Sequence, residues 1–317
     1  MNDGIVSAPA ISVIVPVYGC AACLEQLCQQ LEVNLSSLTD RFEIILVDDR
    51  SPDNAWFQFA SLQARHPALK GIRLSRNYGQ HIAITAGLSA ARGDYAVVMD
   101  CDLQDPPSLI PELYAKLREG YDLVLAKRVE RNHSPFRLLA ARAYFRVISK
   151  LTGESVDGSY GSFSILSRKV IDSFLLFGEK ERHYLFILRW LGFRIGSVDF
   201  VHQERHAGQS SYTLGRLLSH AINGILFQAT VLLRWIVGLG FLFAFAGMAM
   251  AGYLVWRNLT HSALPGWTSL VVLILVSTGA ILVSLGVIGL YVGKIFDQAK
   301  QRPLYVVDVL LENTLPW

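Results

Sequence analysis

The stretch Val97 to Pro107, reading VVMDCDLQDPP, decides how this chain folds. An apolar run from Tyr95 to Met99 has the make-up of a buried strand, and it stops at two acids one residue apart, Asp100 and Asp102. Side chains alternate along extended backbone, so two residues that far apart leave the strand on the same side. Paired carboxylates of this kind suit one hard divalent cation, Mg²⁺ or Mn²⁺. Such an ion takes a few carboxylate oxygens and completes its shell with substrate phosphate, which fits a nucleotide diphosphate better than an all-protein cage.

Outward from this stretch the same pattern repeats. Ser12 to Val17, Glu43 to Val47, Gly71 to Leu74, Tyr95 to Met99 and Asp122 to Ala126 read as strands. Cys23 to Leu35, Asn54 to Arg65, His81 to Ala91 and Ser108 to Arg118 carry helical periodicity between them. Alternation predicts a mostly parallel sheet with helices on both faces, and ligands of such sheets bind beyond the carboxyl ends of the strands. The polar clusters Asp48-Asp49, Arg76-Asn77 and Asp100 to Asp105 fall there, so three strand ends are expected to share one crevice. A dinucleotide-binding Rossmann domain is the rival α/β fold, but the first strand runs into Pro16-Val17-Tyr18 without a G-x-G-x-x-G turn.

The C-terminal third has a different character. The chain of 317 residues is 52% hydrophobic and 17% charged. No charged side chain occurs from Trp235 to Trp256 or from Trp267 to Gly293. At about 1.5 Å per helical residue, either segment crosses a hydrocarbon core of about 30 Å. The short link Arg257 to Gly266 makes the pair a hairpin. Arg216, Arg234, Lys294, Lys300 and Arg302 flank its outer ends, and the positive-inside rule then puts the N-terminal domain in the cytoplasm. The expected organisation is a catalytic domain over residues 1–212, with 136–150 as either an interfacial helix or an ordinary helix packed on the sheet, and an amphipathic juxtamembrane helix at 213–228. A transmembrane hairpin at 229–296 and a cytoplasmic tail at 297–317 complete it. Ile11 to Val17 is too short for a signal peptide and lacks a basic flank. A net charge of +3 gives no case for nucleic acid as a partner. Cys20, Cys23, Cys28 and Cys101 lack zinc spacing and read as reduced thiols of a cytosolic domain.

These residues identify a family resemblance. The chain resembles the inverting family 2 glycosyltransferases of GT-A fold, and among them the polyprenyl-phosphate glycosyltransferases similar to dolichol-phosphate mannose synthase and the bacterial undecaprenyl-phosphate glucosyltransferases. The motifs are Ile14-Val15-Pro16-Val17-Tyr18, Val47-Asp48-Asp49-x-Ser51, Asn77-x-Gly79, Asp100-x-Asp102-Leu103-Gln104-x-Pro106-Pro107 and Glu204-Arg205-x-x-Gly208-x-Ser210-x-Tyr212. A lone D-x-D is a weak signal, whereas these motifs in this order are strong. The resemblance implies a GT-A domain, a Rossmann-like mostly parallel sheet, followed by a C-terminal two-helix transmembrane hairpin.

It also implies roles. Pro16, Tyr18, Asp48 and Asp49 cradle the base and ribose, Arg76, Asn77, Gly79 and Ser210 complete the nucleotide site, and Asp102 and Gln104 ligate Mg²⁺ or Mn²⁺ with Asp100 beside them. Arg128, Arg131 and Arg205 are the catalytic arginines, facing a nucleotide-sugar donor and a polyprenyl-phosphate acceptor. Guanidinium forks match a tetrahedral phosphate in bidentate fashion. The hairpin relatives imply a homo-oligomer at the inner membrane that serves cell-envelope glycan modification. Ser162 departs from the family, occupying the place of an acid proposed as base in many relatives, with Asp157 nearby in sequence. Two rival readings are a processive polysaccharide synthase, which lacks support because Phe186 stands where the Q-x-x-R-W motif needs Gln, and a non-catalytic nucleotide-sugar sensor or scaffold.

Overall fold

The computed structural model describes residues 10–129, 159–180, 182–201 and 267–312, with isolated helical positions between 240 and 256. By its internal contacts the chain divides into two compact units. One comprises Met1–Leu138, Asp157–Ser211 and Pro303–Trp317, and the other Leu139–Val156 and Tyr212–Arg302.

The first unit is built on an 8-stranded sheet. Its strands are β1 (Ile11–Val17), β2 (Phe42–Asp48), β3 (Leu69–Leu74), β4 (Tyr95–Val98), β5 (Leu123–Arg128), β6 (Tyr160–Ser167), β7 (Ile195–Phe200) and β8 (Val307–Leu311), in the spatial order β7-β5-β6-β4-β1-β2-β3-β8. β4, β1, β2 and β3 form a parallel run, and β7 is parallel to β5. β6 lies antiparallel between β4 and β5, and β8 is antiparallel to β3. The sheet is thus mostly parallel, as the alternating pattern predicts. All five strands expected from the sequence are present.

Helices α1 (Leu24–Ser36), α2 (Trp56–Arg65), α3 (Gln80–Ala90), α4 (Ile110–Arg118), α5 (Arg168–Leu175) and α6 (Tyr184–Trp190) cover the sheet. β1 is buried along its whole length, so its side chains divide between two cores. Val13, Val15 and Val17 join Leu27 and Leu31 of α1 and Leu113 of α4 on one face. Ile14 joins Ile84 and Leu88 of α3 and Phe174 of α5 on the other. Burial on both faces explains why the parallel strands read as continuous apolar runs.

Pro16 is buried within β1. The last β1–β4 pair is Ile14↔Val98, so Pro16 lies beyond the point where β4 asks for a ladder N–H, and its missing donor leaves no gap there.

Two expectations change. The segment read as a tail, 297–317, supplies β8, whose Asp308 pairs with Arg50 at 2.8 Å. Cys20 and Cys101 are not reduced thiols: they form a disulfide with Cα atoms 6.3 Å apart. The reason is topological, because β1 and β4 are parallel neighbours and the loops leaving their carboxyl ends run side by side. Cys23 and Cys28 are free and buried.

In the second unit, α7 (Trp267–Ala299) is a helix of 33 residues. Within it Ser277–Ala299 is long and apolar enough to cross a membrane, the one such helix among the described residues. The first arm of the expected hairpin falls mostly outside the described residues, as do the interfacial segment 136–150 and the helix at 213–228.

Candidate active site

The loops singled out after the first four strands leave the same edge of the sheet. β1, β2, β3 and β4 end there, followed by Tyr18, Asp49, Arg76 and Asp100 in turn. β5 runs parallel to β4 because β6 is antiparallel to both, so Arg128 ends at this edge and Tyr160 to Ser162 begin there.

The loops are tied to one another by hydrogen bonds that start at the strand ends. Gly19 N donates to Ser51 Oγ at 2.8 Å and Ala21 N to Asp53 Oδ2 at 2.7 Å, which joins the loop after β1 to the loop after β2. Asp49 joins β2 to the loop before α3: its Oδ1 accepts from Tyr78 N at 2.7 Å and its Oδ2 from Gly79 N at 2.8 Å. Gly79 caps α3 at φ 93 and ψ 156, a region that is essentially glycine-only, so the Asn77-x-Gly79 motif has a backbone reason. Asp48 Oδ1 accepts from Ser51 N at 2.8 Å, and its Oδ2 lies 3.5 Å from Arg73 Nε.

Asp48 and Asp49 are only 1% and 2% exposed. Burial pushes both carboxyl pKa values up, and the hydrogen bonds from Ser51, or from Tyr78 and Gly79, pull them back. Both acids therefore shape the loops that line the site. Tyr18, by contrast, is 52% exposed. An exposed ring beside the first strand end is a ready surface for a flat base. Arg76 is exposed and stacks over the Tyr78 ring at 4.3 Å, with Asn77 exposed next to it.

The Asp100 to Asp105 loop is a tight turn. Leu103 takes a left-handed φ of 60 with its side chain buried, which anchors the turn between Asp102 and Gln104. Gln104 N donates to Asp102 Oδ1 at 3.2 Å. Asp100 Oδ1 accepts from Ser162 Oγ at 2.7 Å and from Gln80 Nε2 at 2.7 Å. The register explains the first bond: Val98 pairs with Ser164, so two residues on, Asp100 meets Ser162. Ser162 is thus a hydroxyl donor to the first acid of the motif.

Asp105 is fully buried, and Arg128 Nη2 lies 3.4 Å from its Oδ1. Burial first, and then the charge of Asp100, push the Asp105 carboxyl up to about 7, with Asp102 adding to the effect and Arg128 opposing it. Asp102 and Gln104 bring a carboxylate and a side-chain amide oxygen to this turn, hard oxygen donors of the kind Mg²⁺ or Mn²⁺ takes. Among the described residues no group of three or more His, Cys, Asp and Glu side chains forms a ready-made metal cage.

The structure therefore brings together Tyr18, Asp48, Asp49, Arg76, Asn77, Gly79, Asp100, Asp102, Gln104 and Arg128 along one edge, with Pro16 inside β1 beneath it. Arg131, Arg205, Ser210 and Asp157 lie outside the described residues. Sequence reasoning missed Gln80 and Asp53 as parts of the site, whereas Ser51 and Asp105 fall within the motif and the polar cluster it names and carry no assigned role there. Gln80 adjoins the Asn77-x-Gly79 motif, which is its one visible signal.

A mostly parallel sheet whose strand ends gather carboxylates, an amide and a guanidinium is the architecture of an α/β domain that binds its ligand at the sheet edge. The chain belongs to glycosyl transferase family 2, whose model matches residues 12–175. It is 35% identical over 306 residues to the uncharacterized glycosyltransferase YkcC of Bacillus subtilis (strain 168), covering 94% of this chain and 93% of that one. It is 34% identical over 302 residues to an uncharacterized glycosyltransferase of Synechocystis sp., covering 95% of each. Among solved structures, glucosyl-3-phosphoglycerate synthase from Mycobacterium tuberculosis in complex with phosphoglyceric acid is 20% identical with a TM-score of 0.49, covering 70% of this chain and 80% of that one.

Proposed function

We propose that this glycosyltransferase moves one sugar from a nucleotide sugar, UDP-linked, to a polyprenyl phosphate at the inner membrane, giving a polyprenyl-phosphate monosaccharide of inverted anomeric configuration. The observation that carries the reading is the meeting of Asp100, Asp102 and Gln104 with Arg128 at one sheet edge, in a chain that also has the apolar helix α7. Carboxylates and a cationic fork at the same edge suit two phosphate-bearing partners, and an apolar helix of this length suits a lipid acceptor.

In this reading Tyr18 offers its ring to the base, while Asp48 and Asp49 hold the loops around the ribose. Asp102 and Gln104 would hold Mg²⁺ or Mn²⁺, with Asp100 beside them, and the chemistry such an ion would supply when bound is neutralisation of the charge on the departing nucleoside diphosphate. Arg128, with Arg131 and Arg205, binds the acceptor phosphate and holds it in line. A phosphate oxygen forms the bond to the anomeric carbon as the bond from that carbon to the diphosphate oxygen breaks, and the electron pair leaves with the nucleoside diphosphate. A phosphate monoester with a second pKa near 6 is already largely ionised at neutral pH, so it attacks without giving up a proton. Ser162 in place of an acid is compatible with this, because the reaction asks for no general base.

The domain at 1–212 faces the cytoplasm in this proposal, with the hairpin at 229–296 spanning the membrane and copies of the chain forming a homo-oligomer. The test is mass spectrometry of lipid extracts after the full chain is incubated with undecaprenyl phosphate and a panel of nucleotide sugars. A single-sugar lipid monophosphate is the expected product. A polymer would reverse the assignment in favour of a processive synthase, and donor binding without product would favour a sensor.

A further inference from the structure

The carboxylate of Asp105 joins the loop that carries Asp102 and Gln104 to the strand that carries Arg128. Three observations set this pair apart from an ordinary ion pair. The first is its geometry. Arg128 Nη2 reaches Asp105 Oδ1 at 3.4 Å, one long contact where a guanidinium–carboxylate pair built only for cohesion makes two parallel bonds of about 2.7–2.9 Å. Arg128 Nε is buried and has no hydrogen-bond partner among the described residues. Much of the donor capacity of the fork is therefore unspent, although the side chain is 30% exposed at the edge of the site.

The second observation is how firmly the arginine is placed. Arg128 N donates to Ser159 O at 2.8 Å and Val129 N to Phe200 O at 2.8 Å, which fixes the backbone on both sides of the side chain. The β5–β6 register shifts between Leu125 and Lys127, and irregularities of this kind re-aim the side chains that follow.

The third is the space made for it. Gly161 does not need its glycine for backbone reasons, since its φ is not in the left-handed region. A Cβ there would lie 2.7 Å from Arg128 Nη2, 3.0 Å from Cζ and 3.3 Å from Nε. The residue is small because the guanidinium lies flat against it.

We propose that Asp105 is a positioning residue, which together with the gap at Gly161 holds the Arg128 guanidinium in the orientation that receives the acceptor's phosphate. The inference rests on the acceptor reading given above and adds to it the pair of residues that aim the arginine. Asp105 touches neither substrate in this scheme. It acts through Arg128, and because it sits one residue after Gln104 it ties the acceptor fork to the metal-holding turn.

The test uses the purified full chain in detergent, farnesyl phosphate as the acceptor probe and UDP with Mn²⁺ as the donor probe, both titrated by calorimetry. Asp105→Asn is expected to weaken farnesyl phosphate by about tenfold, the loss of one well-aimed charge-assisted contact, while UDP affinity stays within about twofold. Gly161→Ala should do the same from the opposite side without altering any charge, which keeps the test open should Asp105→Asn fold poorly. Combining Asp105→Asn with Arg128→Gln should cost no more than Arg128→Gln alone, since the carboxylate acts through the arginine. The inference is overturned if Asp105→Asn and Gly161→Ala leave farnesyl phosphate binding intact, if they weaken UDP with Mn²⁺ instead, or if the double variant multiplies the two losses. Wild-type protein that binds UDP with Mn²⁺ but no farnesyl phosphate would bring down the acceptor reading itself and the destination of Arg128 with it. Tight wild-type binding with an indifferent Asp105→Asn would remove the positioning role alone.

Discussion

Asp49→Asn tests whether the second acid of the Asp48-Asp49 pair builds the site or touches the nucleotide. In the folded protein its two oxygens accept from Tyr78 N and Gly79 N at 2.7 and 2.8 Å. Asparagine offers one carbonyl oxygen and one amino group, so it satisfies one of these N–H groups and confronts the other with a donor. A hydrogen bond to a charged group contributes about 1.5–3 kcal/mol, and leaving a buried donor unpaired costs roughly a further 1–3. The carboxylate is itself desolvated by burial, which raises its pKa, and the neutral amide escapes that cost. The opposing effects leave a net loss of about 2 kcal/mol. For a folded unit of this size that lowers the melting midpoint by about 4–8 °C.

The assay is thermal unfolding of the detergent-solubilised full chain followed by tryptophan fluorescence, paired with titration of UDP and Mn²⁺. Both midpoint and affinity should fall, because the bracket holds Gly79 and with it the start of α3 and the Arg76-Asn77 segment. A midpoint within about 1 °C of wild type would refute the bracket as a source of stability. If affinity alone collapsed, the carboxylate would be contacting the nucleotide directly.

Three further outcomes follow from the same geometry. Asp102→Ala removes the carboxylate proposed to hold the metal, so sugar transfer should fall by at least about 100-fold in a variant that still folds; wild-type turnover in the purified variant would sink the metal assignment. His183 is kept neutral by burial and by Arg189, its pKa pushed down to about 4. The unfolded chain takes up that proton near pH 6.5, so the His183 contribution is present above that pH and is lost as pH falls toward 4. On the order of 2 kcal/mol should go over that window, allowing for partial exposure, and His183→Phe should flatten it in pH-dependent urea titrations. The Cys20–Cys101 bond closes a loop of 81 residues, and loop-closure entropy puts its contribution at about 4.5 kcal/mol, so dithiothreitol should lower the melting midpoint of the wild type and leave Cys20→Ser/Cys101→Ser unmoved.

The sequence made the parallel core legible because burial on both faces writes itself as uninterrupted apolar runs. The start of β1 was set one residue late and β2 one residue short at each end, while the ends of α2 and α4 were placed correctly. β6 was not visible, and the reason is chemical: Gly161, Ser162 and Ser164 break its apolar pattern. Ser162 serves Asp100 and Gly161 makes room for Arg128, while Ser164 Oγ meets Tyr184 Oη at 2.7 Å. β7 alternates, yet its buried positions are Gly196, Val198 and Phe200, too thin a signal beside Ser197 and Asp199. β8 follows a 33-residue apolar helix, and nothing local announces that the chain then returns to the edge of the first sheet. The disulfide was invisible for a related reason, since Cys20 and Cys101 become neighbours only once β1 and β4 are known to pair.

The same contrast separates the two halves of the site. Donor-side residues cluster at consecutive strand ends, where short motifs record them, and the structure joins them by bonds from Gly19 to Ser51, from Ala21 to Asp53, and from Tyr78 and Gly79 to Asp49. Acceptor-side organisation is long-range. Asp100 reaches Ser162 and Asp105 reaches Arg128 only because β6 runs back between β4 and β5, bringing its first residues to the edge where β4 and β5 end. In the function proposed above, the antiparallel insertion is therefore the physical element that adds an acceptor subsite to the donor edge. It also makes the links between the subsites single side chains rather than whole loops. Substitutions at Gln80, Asp100 and Ser162 should accordingly couple to one another, because all three share one oxygen of Asp100.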